Sequence, residues 1–96
     1  MVTHVLLLKL NQNEATSQRR HWVKQQANLW FNAFPQHDFT WKTPIVDDLS
    51  KWDGLILIET QTLDQTQDLL NSSQYTQWLK QIQPYLACIK GWSFTL

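Results

Sequence analysis

The feature that most constrains the fold of this chain is a pair of short segments that are apolar on both faces. In an extended strand, alternate side chains point to opposite sides of the sheet. Residues 4–9, HVLLLK, therefore present apolar groups to both sides, and residues 55–60, LILIET, repeat the pattern. Strands that are covered on both faces read as continuous apolar runs of this kind. Each of these two strands needs a layer of protein on either side.

The chain is too short to supply all of those layers itself. Its 96 residues predict one domain, spanning residues 1–96. The formal net charge is +0, so no global field attracts nucleic acid or an anionic membrane. The single cysteine, Cys88, cannot form an internal disulfide, and no basic segment precedes a long apolar run. We expect a soluble, cytoplasmic protein that binds neither nucleic acid nor membrane.

The first half of the chain continues with a helix and a second strand. Apolar residues recur at helical spacing from Val23 to Phe34, where Pro35 ends the pattern. Residues 37–43, HDFTWKT, alternate in polarity, which is typical of an edge strand. Residues 44–54 are polar and are expected to form an irregular loop before the next strand.

The second half carries a helix with an interruption. A capping box at residues 62–65 predicts the start of this helix, with Leu63 and Leu70 turned inward. We expect the helix to break at Asn71, to restart at one of the two serines that follow, and to end before Pro84.

The closing segment, residues 85–96, predicts a last strand in which Gly91 marks a bulge or bend. The order of strand, helix, strand, strand, helix, strand predicts a ferredoxin-like α+β fold. We expect an antiparallel-type four-stranded sheet with two helices on one face and with the first and third strands parallel in the middle. The side chains expected on one face of the last strand are those of Leu86, Cys88, Lys90, Trp92, Phe94 and Leu96.

The pairing of the two central strands predicts what each face of the sheet contains. Laid parallel, residues 4–9 match residues 54–59, so that Lys9 meets Glu59 and His4 lies beside Gly54. An ordinary solvated ion pair explains the two charges as well as a dimer rim does. The helices cover one face, and only a second copy of the chain remains to cover the other. The residues assigned to this homodimer interface are Val5, Leu7, Lys9, Leu55, Leu57 and Glu59.

Four segments together resemble one known family. The segments VTHVLLLKL, WDGLILIETQT, LLNSSQYTQWLKQI and the closing strand are similar to the stress-responsive dimeric α/β-barrel domain, the Dabb family. The resemblance covers essentially the whole chain. It implies a homodimer whose two sheets pack face to face into a dimeric α+β barrel, with a pocket in each subunit between sheet and helices.

Relatives in this superfamily include a plant polyketide cyclase and oxygenases that are cofactor-free or degrade haem. The resemblance places His4 at the position of a pocket histidine of the cyclase. Two further histidines of the cyclase correspond to Gln74, at the helix break, and to Gly54. Because an amide has no useful pKa for proton abstraction, Gln74 cannot replace the general base.

His4 is the candidate for a polar or catalytic group in the pocket, although a lone histidine on an apolar face is more often structural. His21 and His37 read as surface residues. Trp30 and Trp78 either pack in the core or form a pocket wall on which a planar ligand stacks. The candidate ligand-binding residues are His4, Trp30, Gln74, Tyr75 and Trp78.

Two functions remain open at this point. The first is a dimeric module that binds a small apolar or aromatic molecule. The second is a cofactor-free enzyme of the cyclase or monooxygenase type with His4 as acid or base. RNA binding is rejected, because the central strands carry no aromatic residues. We expect no cofactor and no metal, and we assign Asp47, Asp48 and Asp53 to a solvated loop.

Overall fold

A computed structural model describes residues 1–43 and 52–95 of the chain. The loop expected over residues 44–54 therefore lies mostly outside the described residues. The strands are β1 (Val2–Leu10), β2 (Asp38–Lys42), β3 (Gly54–Thr60) and β4 (Leu86–Thr95). The helices are α1 (Ser17–Asn32), α2 (Leu63–Leu70) and α3 (Ser73–Ile82), and short 3₁₀ turns occupy Gln12–Glu14 and Gln83–Tyr85.

The strands pair in the order β2-β3-β1-β4, and every neighbouring pair is antiparallel. The predicted ferredoxin-like α+β fold is thus confirmed, whereas the parallel pairing of the two central strands is wrong. The reason is topological. The crossover through α1 gives β2 the same direction as β1, and β3 turns back from β2 before it pairs with β1.

The antiparallel direction also overturns the predicted register. Glu59 pairs with Thr3, at the opposite end of β1 from Lys9, so the expected Lys9–Glu59 pair does not form. Gly54 pairs with Leu8 and is not beside His4. The assignment of residues to the two faces nevertheless holds, because reversing the strand pairs odd positions with odd positions as before.

The three helices cover one face of the sheet. Even-numbered side chains of β1 and β3 join helical residues in a single hydrophobic cluster. At its centre, Trp30 is 0% and Trp78 is 1% exposed. None of the helices in the described ranges is long and apolar enough to cross a membrane. The buried members of the cluster are Leu6, Leu8, Leu10, Val23, Ala27, Trp30, Ile56, Ile58, Leu69, Trp78 and Ile82.

The opposite side of the sheet, which we call the open face, carries the odd-numbered side chains of β1 and β3. All six residues assigned to the dimer interface lie here. Cross-strand pairing adds side chains from both edge strands to the same face. The residues of the open face are Thr3, Val5, Leu7, Lys9, Asp38, Thr40, Lys42, Leu55, Leu57, Glu59, Cys88, Lys90, Trp92 and Phe94.

The helix break is confirmed, and a side-chain cap marks each helix start. The hydroxyl of Thr62 accepts a hydrogen bond from the backbone N–H of Gln65 at 3.2 Å, and Ser72 caps α3 in the same way. The inward orientation of Leu63 is wrong, because this side chain is 48% exposed. A hydrogen bond of 2.6 Å between the hydroxyls of Thr60 and Thr66 fixes which face of α2 meets the sheet.

The irregularity in β4 lies at Ala87 and not at Gly91. Lys9 pairs with Cys88, but Leu10 pairs with Leu86, so β4 accommodates one extra residue between them. Leu86 consequently points to the opposite face from Cys88 and packs against the core, which corrects the predicted face of the last strand. Leu96 lies outside the described residues.

Candidate functional site around His4

His4 lies on the helix side of β1, next to the edge strand β4. Its side chain is buried, and the residue is only 7% exposed. Its Nδ1 lies 2.6 Å from Oγ of Ser93, which is its direct cross-strand partner although 89 residues away in the sequence. Burial lowers the pKa of His4 below its ordinary value of 6.5, because desolvation disfavours the charged ring. The imidazole is therefore neutral at pH 7.

Gly91, and not Gly54, leaves space for the His4 ring. A Cβ atom at Gly91 would lie 2.9 Å from Nε2 of His4 and 2.7 Å from Cδ2 of Leu6. Gly54 instead makes room for Trp41, since a Cβ there would lie 2.6 Å from Cζ2 of that indole. The prediction that Gly54 lies beside His4 is thus wrong, because the antiparallel register pairs Gly54 with Leu8.

An aromatic cluster surrounds Trp30 on the helix side. Its ring centroid lies 5.7 Å from that of Trp78 in a stacked arrangement and 4.6 Å from that of Tyr75 in a tilted one. Nε1 of Trp78 donates a hydrogen bond to the carbonyl oxygen of Val23 at 3.2 Å. Nε1 of Trp30 is buried and has no acceptor among the residues described. This close packing favours a core role for both tryptophans and leaves one buried N–H group available to a polar atom.

Tyr75 and Gln74 lie in the first turn of α3. Tyr75 is half-buried against Trp30, and burial raises the pKa of its hydroxyl above the ordinary value of 10.0. The side-chain oxygen of Gln74 accepts a hydrogen bond of 3.3 Å from the hydroxyl of Ser73. Neither residue is fully buried, so both reach the surface beside the helix break.

The candidate ligand-binding residues fall into two groups. Trp30, Trp78 and Tyr75 contact each other, and Trp30 also packs on Phe39 of β2 at 5.5 Å between ring centroids. One row across the sheet then runs from Phe39 through Ile58 and His4 to Ser93. Strand β3 therefore lies between His4 and Phe39, which packs on the aromatic cluster. On its other side, His4 neighbours Ser93, which is exposed.

Asp53 is also a buried polar residue, and its burial was not predicted from the sequence. It is 6% exposed, so its assignment to a solvated loop is wrong; Asp47 and Asp48 lie outside the described residues. Its carboxylate accepts hydrogen bonds from the backbone N–H of Leu10 at 2.7 Å and from Nε of Arg20 at 2.8 Å. These contacts tie the start of β3 to the end of β1 and to α1.

Asp53→Ala is expected to lower the free energy of unfolding by about 2 kcal/mol, because a buried N–H loses its acceptor. Asp53→Asn should cost less, since its amide oxygen can still accept from Leu10. Urea unfolding followed by circular dichroism measures both. The matched control is Glu14→Ala, which removes a half-buried ion pair with Arg19 at the surface and should change stability by less than about 1 kcal/mol. Equal stability of Asp53→Ala and the native chain would contradict a structural role.

No three side chains of His, Cys, Asp or Glu in residues 1–43 and 52–95 lie close enough together to hold a metal ion. The polar groups of the candidate residues are the imidazole of His4, the hydroxyl of Tyr75, the side-chain amide of Gln74 and the indole N–H groups of Trp30 and Trp78.

The fold and the site define a ferredoxin-like α+β domain with helices on one sheet face and a buried histidine on that same face. No family model matches the sequence, and no curated protein matches it. Solved structures do match, along essentially the whole chain. A dimeric ferredoxin-like protein of unknown function from Thermobifida fusca has a TM-score of 0.82 at 17% identity, over 99% of this chain and 90% of that one.

Two further solved structures extend the comparison. A Dabb family protein from Mesorhizobium loti has a TM-score of 0.75 at 7% identity, over 99% of this chain and 95% of that one. The hydroxynitrile lyase from Passiflora edulis has a TM-score of 0.77 at 13% identity, over 99% of this chain and 92% of that one. At these identities the likeness shows the fold, and it confirms the resemblance to the Dabb family at that level.

Proposed function

We propose that this chain is a small homodimeric domain of the Dabb type that binds a small apolar or aromatic molecule between its sheet and its helices. The observation that carries the ligand site is His4, a buried, neutral imidazole among the mostly apolar side chains on the helix side of the sheet. Binding sites for small molecules are mostly apolar, with a few placed polar groups that fix the orientation of the ligand. The buried N–H of Trp30 offers a second polar group of this kind.

The open face supports the homodimer. Leu7, Leu55 and Leu57 are only half-buried on this face, and Trp92 and Phe94 are 49% and 41% exposed. Contiguous exposed apolar surface of this kind marks an interaction site. A second copy presents the same apolar surface, so a two-fold pair of chains covers both open faces at once. The Thermobifida fusca protein of the same fold is dimeric.

A cofactor-free enzyme that uses His4 as acid or base is the second candidate function. The lowered pKa favours it, because a histidine that is neutral at pH 7 is ready to accept a proton. One protein of the same fold is a hydroxynitrile lyase. The reaction class remains open within this candidate, since the residues at the helix break do not supply the base of the cyclase.

His4→Ala is expected to weaken the binding of a planar probe, 2-naphthol, by about tenfold, because the probe hydroxyl loses one hydrogen-bond partner. Amide chemical shifts in a ¹H–¹⁵N spectrum, followed through a probe titration, measure both the affinity and the site. In the native chain we expect the largest shifts at His4, Ser93 and Tyr75.

The control for this titration is His21→Ala, which removes an exposed histidine from α1 and should leave probe affinity unchanged. Thermal unfolding of each variant separates lost binding from lost stability. No saturable shift in the native chain, together with a large loss of stability in His4→Ala, would contradict the ligand site and assign His4 a purely structural role.

A further inference from the structure

Ser93 and His4 form a contact that neither the dimer nor the proposed ligand site requires. The distance of 2.6 Å between Ser93 Oγ and His4 Nδ1 is typical of a strong hydrogen bond. The two side chains meet because the residues are direct partners across β1 and β4, on the helix side of the sheet. A serine hydroxyl within hydrogen-bond distance of an imidazole is the arrangement in which a histidine base can activate a nucleophile.

The surroundings of His4 suit the role of a base. His4 is buried and burial lowers its pKa, so the ring is unprotonated at pH 7 and Nδ1 can accept the serine proton. On its other side, Nε2 faces the bare backbone at Gly91. The pair is therefore a dyad, in which the packing of the ring holds the base in place.

The surroundings of Ser93 are open to a substrate. Gly91, Ser93 and Thr95 alternate along the helix side of β4 and all three are exposed, so the helices leave this end of the strand uncovered. Because Ser93 itself is exposed, a small substrate can reach its hydroxyl from solvent. β4 is an edge strand in the described sheet, so its outer side faces no other described strand.

We propose that Ser93 is a nucleophile activated by His4, and that the pair takes acyl groups from small activated esters. Ser93 Oγ attacks the ester carbonyl carbon while its proton passes to Nδ1 of His4. The tetrahedral intermediate collapses, the C–O bond to the leaving group breaks, and the imidazolium returns the proton to the departing alcohol. Water then attacks the acyl-serine, with His4 taking and returning a proton in the same way, and a carboxylic acid is released.

This inference rests on the second candidate function only in taking His4 as a base; it needs neither the dimer nor binding of 2-naphthol. The test uses two probes on the full chain, diisopropyl fluorophosphate for covalent labelling and 4-nitrophenyl acetate for turnover. Mass spectrometry of proteolytic peptides identifies the labelled residue. We expect a phosphoryl adduct on Ser93, and we expect release of 4-nitrophenol above the rate in buffer.

Three variants make the test specific. Ser93→Ala should abolish labelling and should fold, since the residue is exposed. His4→Gln should slow labelling of Ser93 by at least about 100-fold, the usual contribution of a general base. Ser73→Ala removes another exposed serine, which lies in the first turn of α3, and should change neither readout.

Each outcome decides the proposal. An adduct on Ser93 that depends on His4 supports it, whether or not 2-naphthol binds. No adduct on Ser93, or an adduct that forms equally fast in a folded His4→Gln chain, overturns it while leaving the proposed ligand site intact. If His4→Gln does not fold, Gly91→Ala takes its place, because the added methyl group displaces the ring from Ser93, and unchanged labelling in that variant also overturns the proposal.

Discussion

Leu57→Asp is expected to convert the homodimer into a folded monomer. Leu57 lies in the middle of the open face, between Val5 and Thr40 in the cross-strand rows. In a two-fold interface the substitution buries one carboxylate from each copy, and burying an unpaired charge is strongly unfavourable. We expect the dimer dissociation constant to rise by at least about 100-fold, or about 3 kcal/mol. Sedimentation equilibrium at micromolar concentration measures it.

The matched control for this experiment is Leu29→Asp. Leu29 lies on α1 and is 65% exposed, so the same change in chemistry falls on a surface that the dimer does not use. This variant should remain a dimer. Leu7→Asp, on the open face, should behave as Leu57→Asp does. Dimers that survive both substitutions on the open face would show that the interface lies elsewhere, and a native chain that sediments as a monomer would refute the dimer.

Trp30→Ala is expected to lower the free energy of unfolding by about 3–5 kcal/mol, the usual cost of removing a large buried ring. The ring is 0% exposed and packs on both Trp78 and Tyr75. Since small domains are stable by only about 5–15 kcal/mol, this variant should lie close to unfolding. Urea denaturation at 25 °C gives the difference from the native chain.

Two milder variants show what the tryptophan nitrogens contribute. Trp78→Phe loses the hydrogen bond to Val23, whereas Trp30→Phe loses a donor that has no described acceptor. We expect Trp78→Phe to be the less stable of the two by about 1 kcal/mol. A Trp30→Ala chain as stable as the native one would mean that this ring lines an open pocket and is not part of a packed core.

The fold could be predicted from the sequence because the strongest signals do not depend on strand direction. Side chains along β1 and β3 point alternately to the two faces of the sheet, which assigned each residue to a face. Reversing the direction of one strand left that assignment unchanged. The predicted parallel direction of β1 and β3 was wrong, since two apolar strands match equally well in parallel and in antiparallel pairing. Caps at Thr62 and Ser72 set the helix boundaries through hydrogen bonds within four residues, which local sequence can reveal.

The candidate site was less predictable, because its contacts depend on long-range register. If the pairing of Leu10 with Leu86 continued without a shift, Trp92 would lie opposite His4. The extra residue at Ala87 moves Ser93 into that position instead. Nothing in the composition of this segment indicates the shift. The burial of Asp53 was missed for the same reason, since its partners Leu10 and Arg20 are 43 and 33 residues away.

The charges on the open face are separated along the strands. Lys42 and Lys90 flank the row of Leu55 and Leu7 near one end, whereas Asp38 lies beside Glu59 at the other. When two such faces meet with their strands running in opposite directions, the lysine end of each copy lies over the acidic end of the other. The alternative, with strands running the same way, sets like charges together. We expect the apolar middle of the face to drive association of two copies, and the charged residues at its two ends to select the orientation in which the copies pair.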